Sequence, residues 1–484
     1  MWSSFTYEEP SVSSLLILSS WLYLLNVFGY LAQRLLSAGL LGQILIGVIY
    51  GTPLARWLDE SWEEAFVAIG YVGLLVVVFE GGMSSSISTL TALLPLSTCI
   101  ALTGLLCPIA MSFVLVPMGS FSFVHAFAAG SALSSTSLGT VLAVLNPSSI
   151  GFDLRRTKLG TALLSAAILD DVVAFILVKV LQVIGAGSGS GSSGGGSIGA
   201  NIGRTIGVTI GLGLALLILS RFILRPAYRQ MRTIRQSRLV TKGSLLLCMV
   251  LVFIGLVAAA GYAGTSPLYG AYIAGLACAY LSEAELVASP PKSLPVELLP
   301  TRKPARSYTF PTTTPIPTPI PSPPRSPSGS IADGDSCKKP GLRSTFEELV
   351  APLLNHLLLP IFFGSIGYCI PFVPLWQGCV IWRGIIYAIL MMLGKGICGA
   401  WLLLWKRSQS GSKGAIFLGL AMIARGEIGL LISQVAYHTT SPLLVEDEFL
   451  IVTWAIVICT IVGPVGVGWA VKRWGRKILD GGWE

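Results

Sequence analysis

Thirteen long apolar runs, separated by polar segments, constrain the fold of this chain more than any other feature. Crossing about 30 Å of hydrocarbon takes roughly 20 apolar residues of helix, and a helix satisfies its own backbone groups without water. With 53% hydrophobic and 11% charged residues in a chain of 484, the sequence is too apolar for a water-soluble fold of this length. It therefore predicts an all-α polytopic membrane protein. The predicted spans are residues 12–32, 38–55, 64–83, 96–117, 121–145, 159–184, 201–222, 242–263, 266–283, 350–371, 379–405, 414–438 and 449–471.

The charged residues are divided between alternate loops. One set of loops is basic, and it carries Arg34, Arg155, Arg156, Lys158, the cluster at residues 221–242, Lys406, Arg407, Lys413, Lys472, Arg473, Arg476 and Lys477. The other set is mainly acidic, and it carries Glu8, Glu9, Asp59, Glu60, Glu63, Glu64, Glu446, Asp447 and Glu448. The positive-inside rule places the basic loops in the cytoplasm, with the N-terminus outside and the C-terminus inside. Topology thus accounts for the net charge of +9, and we expect no nucleic-acid partner. The sequence is compatible with the plasma membrane and with internal membranes.

The spans can be grouped as six, one and six, which is the number expected for two inverted six-helix repeats joined by a linker helix. The fifth span of each half contains an unusual stretch. The first is SALSSTSLGT at residues 131–140, and the second is ARGEIG at residues 424–429. Small, hydroxylated or charged residues at mid-membrane are typical of helices that break there and expose backbone dipoles to a cavity. We therefore predict two crossed broken helices that build an ion site.

Two low-complexity segments interrupt the spans. Residues 187–197 predict a flexible external linker, and the proline-rich residues 289–335 predict a disordered cytoplasmic loop. A tolerated insertion and a phosphorylated regulatory segment are both open for the second. The predicted organisation begins with a first repeat that contains a broken helix and the Asp-Asp helix (1–185), followed by a Gly/Ser loop, a linker helix and a basic loop (186–241). The second repeat starts at 242–284, is interrupted by the proline-rich loop (285–345), and continues with a lysine helix and the second broken helix (346–471). A cytoplasmic tail (472–484) ends the chain.

Two adjacent aspartates, Asp170 and Asp171, lie at the midpoint of the sixth span. Charges at that depth are costly, so each needs a partner or a function. Adjacent residues on a helix point about 100° apart, and the two carboxylates therefore have different partners. Lys395 in the eleventh span supplies a cation for one of them. The other can bind either a proton or a metal cation, and such competition couples two fluxes. A purely structural ion cluster is the alternative.

Three further charges lie within or beside the spans. Glu80 is near the inner end of the third span, and Arg425 and Glu427 are in the broken twelfth. Arg425 has Glu80 and Glu427 as candidate partners. Structural roles, including neutralisation of half-helix dipoles, and transport roles are both open for these residues.

Several stretches, taken in order, resemble the cation/proton antiporter superfamily of sodium/hydrogen exchangers, and within it the double-aspartate branch with bacterial electrogenic sodium/proton antiporters. They include GLLVVVFEGGMS (73–84), SSTSLGTVLAVL (134–145), SAAILDDVVAF (165–175), LGKGICG (393–399) and ARGEIGLLI (424–432). The resemblance implies that Asp171 binds the ion and carries the proton, and that Asp170 pairs with Lys395. It also implies that Thr136 and Ser137 contribute oxygen ligands to a monovalent cation. On the same resemblance, Asp171 and Thr136 are the main ligands of that cation. Asp170 implies electrogenic exchange, because relatives with Asn-Asp are electroneutral.

We therefore expect a secondary active antiporter of Na+, or of K+ or Li+, working by alternating access without a cofactor or an enzymatic reaction. The expected partners are H+, the cation, the lipid bilayer and a second copy in a homodimer. A sodium-coupled solute symporter, a cation channel of the same fold and a transport-inactive sensor are the alternatives. An intramembrane aspartyl hydrolase is disfavoured, because its two carboxyl groups face each other from separate helices and those of Asp170 and Asp171 do not.

Overall fold

The computed structural model describes residues 9–84, 93–118, 121–137, 154, 157–189, 195–224, 226, 242–288, 341–405, 412–439 and 441–479. Within these ranges all regular elements are helical. The main helices are α1 (Val12–Leu36), α2 (Gly39–Tyr50), α3 (Glu60–Ser84), α4 (Leu94–Leu115), α5 (Phe123–Ala132), α6 (Lys158–Gly189), α7 (Gly195–Leu219), α8 (Lys242–Tyr262), α9 (Pro267–Ala288), α10 (Leu342–Tyr368), α11 (Gly378–Trp405), α12 (Ser412–Ile423), α13 (Glu427–His438) and α14 (Glu446–Leu479). The predicted all-α polytopic fold is confirmed.

Nine helices of the described chain are long and apolar enough to cross a membrane, and the pair α12 and α13, bent by 41°, makes a tenth. The predicted span at 38–55 corresponds to α2, which has only 12 residues. The span at 121–145 begins with α5, but residues 138–150 lie outside the described chain. Helix α9, which corresponds to the predicted span at 266–283, is also not among these ten, so the total of thirteen spans stays a prediction.

Local sequence signals set several helix boundaries. The side chain of Ser11 accepts a hydrogen bond from the Ser14 amide at the start of α1, and Ser122 does the same for the His125 amide at the start of α5. Helix α6 continues to Gly189 and α7 begins at Gly195, so both ends of the predicted glycine-serine linker are helical. Its centre at 190–194, the basic residues at 227–241 and the proline-rich residues at 289–335 lie outside the described chain.

The helices pack in two groups. The scaffold group consists of α1, α2, α3, α8, α9 and α10, and the core group consists of α4, α5, α6, α11, α12, α13 and α14. Within the scaffold group, α3 and α9 pack closely because each helix presents a glycine to the other. A Cβ at Gly82 would collide with the carbonyl oxygen of Tyr272, and one at Gly275 would collide with that of Phe79.

A contact between a histidine and a carboxylate joins the beginnings of two core helices. His125 Nδ1 on α5 lies 2.8 Å from Glu448 Oε2 on α14, and Glu448 is fully buried. The same carboxylate accepts a hydrogen bond from the Val445 amide at 2.9 Å. This contact links helices from the two halves of the sequence and so fixes the helices that carry the candidate site.

Candidate ion-binding site

Two departures from helical structure meet within the core group, and we call them the first and the second break. Helix α5 ends at Ala132 and is followed by non-helical residues up to Ser137, where the described segment stops. The second interruption, at residues 424–426, separates α12 from α13. The Ser137 amide donates a hydrogen bond to the Ala424 carbonyl at 3.1 Å, so the two breaks contact each other directly. A break in a membrane helix leaves backbone groups that need such partners.

Arg425 supplies hydrogen bonds to the first break. Its side chain is fully buried, and Nη1 donates to the carbonyl oxygens of Ser135 and Ser134. These carbonyls follow the C-terminal end of α5, where the helix dipole places negative partial charge. In the described chain Arg425 makes no ion pair with Glu80 or Glu427, the partners considered from the sequence. Backbone carbonyls beyond the end of α5 bind Nη1 instead, and Nε and Nη2 have no hydrogen-bond partner in the described chain.

Gly426 lies against Ser137, where the two breaks pack closely. A Cβ placed there would lie 2.6 Å from Ser137 Oγ and 2.8 Å from Ser137 Cβ. We expect Gly426→Ala to destabilise the protein by about 1–3 kcal/mol, because the added methyl group has no space. Thermal unfolding in detergent measures the effect. Gly255→Ala on α8 is the control, since nothing lies within 4 Å of that position. Equal unfolding temperatures for the two variants would contradict the crossing geometry.

Lys395, Asp170 and Thr136 form a closed polar cluster. Lys395 Nζ lies 2.5 Å from Asp170 Oδ2 and donates to Thr136 Oγ1 at 2.9 Å. Thr136 Oγ1 in turn donates to Asp170 Oδ2 at 2.6 Å. All three side chains are buried, with exposed fractions of 0–1%. Residues from α6, α11 and the first break therefore bind one another through Asp170 Oδ2, whereas Asp170 Oδ1 has no hydrogen-bond partner in the described chain.

Asp171 has a different environment from its neighbour. It lines a cavity of about 840 Å³ that extends to the ends of α1 and α14, at Ser37 and Lys472, which we call the basic end. Asp170 does not line this cavity. In the described chain Asp171 Oδ1 has no hydrogen-bond partner. One carboxylate is thus held by a cation within the protein, and the other faces open space.

Three other predicted site residues line the same cavity. Ser137 and Glu427 lie beside each other, with 3.5 Å between Ser137 Oγ and Glu427 Oε2. Glu80 also lines the cavity, but it lies on α3 of the scaffold group and close to the charges of Arg343 and Glu347. The structure therefore brings Asp171, Ser137 and Glu427 to the core wall of the cavity and places Glu80 on the opposite wall.

The sequence reading did not identify several cavity residues. Gln33, Gln43 and Asn355 add polar groups from three scaffold helices, and Phe175 and Tyr272 contact each other with ring centroids 6.1 Å apart. An amide within an apolar helix is a usable signal for the first three. The two aromatic residues carry no such signal, because most aromatic residues of membrane helices serve in packing.

A sequence comparison identifies a family and several relatives. The model of the family described as "Sodium/hydrogen exchanger, transmembrane" matches residues 22–297 and 329–473. The chain is 21% identical to the Na+/H+-K+ antiporter GerN of Bacillus cereus over 439 residues. The aligned region covers 90% of each chain. It is 27% identical to the high-affinity Na+/H+ antiporter NhaS3 of Synechocystis sp. over 146 residues. That aligned region covers 30% of each chain.

The fold is also similar to a solved structure. The sodium proton antiporter MjNhaP1 from Methanocaldococcus jannaschii superposes with a TM-score of 0.57 at 15% sequence identity. The match covers 96% of this chain and 99% of the other. At this identity the likeness concerns the arrangement of the helices.

Proposed function

Because the chain belongs to the sodium/hydrogen exchanger family, we propose that it exchanges Na+ for H+ with Asp171 as the residue that carries either ion. The observation that supports this role most strongly is the different surroundings of two adjacent, equally buried carboxylates. Asp171 lines the cavity, whereas Asp170 is enclosed with Lys395 and Thr136. A carboxylate that binds a proton or a cation, but not both, couples the two fluxes by competition.

Oxygen atoms around Asp171 support cation binding. Ser137 comes from the first break and Thr460 from α14, and both line the cavity with Asp171. Thr136 is engaged with Asp170 in this conformation, so its contribution to the cation runs through its backbone or a rearranged side chain. Small monovalent cations prefer such oxygen ligands. The relative named as a Na+/H+-K+ antiporter supports testing K+ as a second substrate.

The shape of the cavity supports alternating access. It reaches the basic end, which the positive-inside rule assigns to the cytoplasm. On the other side of Asp171, Phe175 and Tyr272 bring the core and scaffold groups into contact. We propose that this conformation opens inward and that movement of the core group relative to the scaffold group exposes Asp171 outside. The homodimer expected from the resemblance would form through the scaffold group.

Ion exchange is tested with the purified protein in proteoliposomes that contain a pH-sensitive dye and an acidic lumen. We expect a pulse of external NaCl to make the lumen more alkaline, because entering Na+ displaces protons outward. KCl and LiCl are tested in parallel to establish the range of cations, and choline chloride is the control. If NaCl has no more effect than choline chloride, the proposed function is wrong.

We also propose that the exchange moves net charge. A solid-supported membrane carrying the protein should give a transient current when NaCl replaces choline chloride at constant ionic strength. Liposomes without protein are the control for ion adsorption. Exchange in the dye assay without any current would contradict electrogenic transport and leave the exchange itself supported.

A further inference from the structure

Two carboxyl groups face the cavity from the core group, and they belong to different halves of the chain. Asp171 lies on α6 in the first half, and Glu427 is the first residue of α13 in the second half. Both are buried within the protein, with exposed fractions of 3% and 8%. A cation that enters the cavity from the basic end therefore meets Asp171 and Glu427 on the core wall, opposite Glu80 on the scaffold wall, and it does not meet Asp170.

Asp170 is poorly placed to release or accept a proton during exchange. Its Oδ2 atom lies 2.5 Å from Lys395 Nζ and accepts a hydrogen bond from Thr136 at 2.6 Å. Protonating this carboxylate would leave the buried Lys395 ammonium without its counter-ion, which is strongly unfavourable. The pair is therefore stable in its charged form throughout a cycle that leaves the cluster closed.

Glu427 has no such cation. In the described chain its side chain makes no ion pair, and the neighbouring Arg425 directs its guanidinium group to the carbonyls of Ser134 and Ser135. Glu427 has Ser137 Oγ at 3.5 Å and lies in the first turn of α13, where the helix dipole favours a carboxylate. These contacts stabilise the carboxylate but leave it without a counter-ion, which a proton or a cation from the cavity would supply.

We propose that Glu427 is the second proton-releasing group of the site, so that one entering cation displaces two protons. This inference rests on the proposed function of Asp171. In the proton-loaded state both Asp171 and Glu427 carry an O–H bond and are neutral. When the cation enters, both O–H bonds break, two protons leave to water in the cavity, and the two carboxylates hold the cation. The reverse step restores the two neutral groups. Exchange of one positive charge for two moves net charge.

Proton release on cation binding tests the inference without transport. The protein is kept in weakly buffered detergent solution with a pH indicator, and protons released per bound Na+ are counted after a NaCl pulse. We expect two for the unmodified protein and one for Glu427→Gln, which keeps the shape of the side chain and retains Asp171. Glu446→Gln, which changes an exposed carboxylate at the start of α14, is the matched control and should still give two.

The alternative results are distinct. One proton per Na+ from the unmodified protein would overturn the inference even if Glu427→Gln does not fold. Two protons from folded Glu427→Gln, or complete loss of Na+ binding in it, would overturn it as well, because Asp171 should then exchange one proton alone. Glu427→Asp should restore the count of two. By contrast, exchange that persists in Asp171→Asn would refute the proposed function itself.

Discussion

Lys395→Ala is expected to destabilise the folded protein by about 3–5 kcal/mol, because it leaves the buried Asp170 carboxylate without its cation. The two side chains are fully buried, and Lys395 Nζ lies 2.5 Å from Asp170 Oδ2. The variant also removes the donor to Thr136 Oγ1. Since Thr136 belongs to the first helix break, we expect the disturbance to reach the cation site and to reduce transport.

Thermal unfolding of the purified variant in detergent measures this loss. Lys477→Ala is the control, because Lys477 is exposed near the end of α14, and surface substitutions usually stay within about 0.5 kcal/mol. The double variant Asp170→Asn with Lys395→Ala should regain part of the stability, because it leaves no buried charge unpaired. If Lys395→Ala unfolds at the temperature of the unmodified protein, the closed cluster is not an ion pair.

The sequence was sufficient to predict that one of the two aspartates pairs with Lys395. Few ionisable residues lie within the apolar runs, and each needs a partner at that depth, so the choice is small. The sequence also showed that adjacent aspartates cannot share a partner, because they point in different directions on a helix. It did not show which of the two faces Lys395, since that depends on the rotation of α6 in the bundle. The resemblance supplied that assignment.

The hydrogen-bond partners of Arg425 could not be predicted from the sequence. A carboxylate is the expected counter-ion, and Glu80 and Glu427 were the available candidates. The guanidinium group instead contacts the carbonyls of Ser134 and Ser135. Those carbonyls lie beyond Ala132, where α5 ends. A sequence indicates that a helix breaks more clearly than it indicates which backbone groups the break presents to a neighbouring side chain.

The lining of the cavity could not be predicted from the sequence either. Its walls come from helices far apart in the chain, with Gln33 on α1, Asn355 on α10 and Asp171 on α6. Periodicity within one helix indicates which face is apolar, but the space between two packed groups depends on their relative position. This position decides that Glu427 shares the cavity with Asp171, whereas Asp170 is excluded from it.

Asp171→Asn is expected to abolish cation-driven proton movement. Asparagine has nearly the same size as aspartate, so the packing of α6 should be preserved. Its amide carries no charge and takes up no proton near neutral pH, and the coupling by competition is therefore lost. The Asp170 and Lys395 cluster does not touch the cavity and should stay intact, so the variant should unfold at a temperature close to that of the unmodified protein.

The most direct test compares the unmodified protein, Asp171→Asn and Asp447→Asn in proteoliposomes with an acidic lumen and a pH-sensitive dye. Asp447 is exposed at the start of α14 and serves as the matched control. After a NaCl pulse, the lumen should become alkaline with the unmodified protein and with Asp447→Asn, and should stay acidic with Asp171→Asn. Alkalinisation by folded Asp171→Asn at the rate of the unmodified protein would contradict the assignment of Asp171 as the ion carrier.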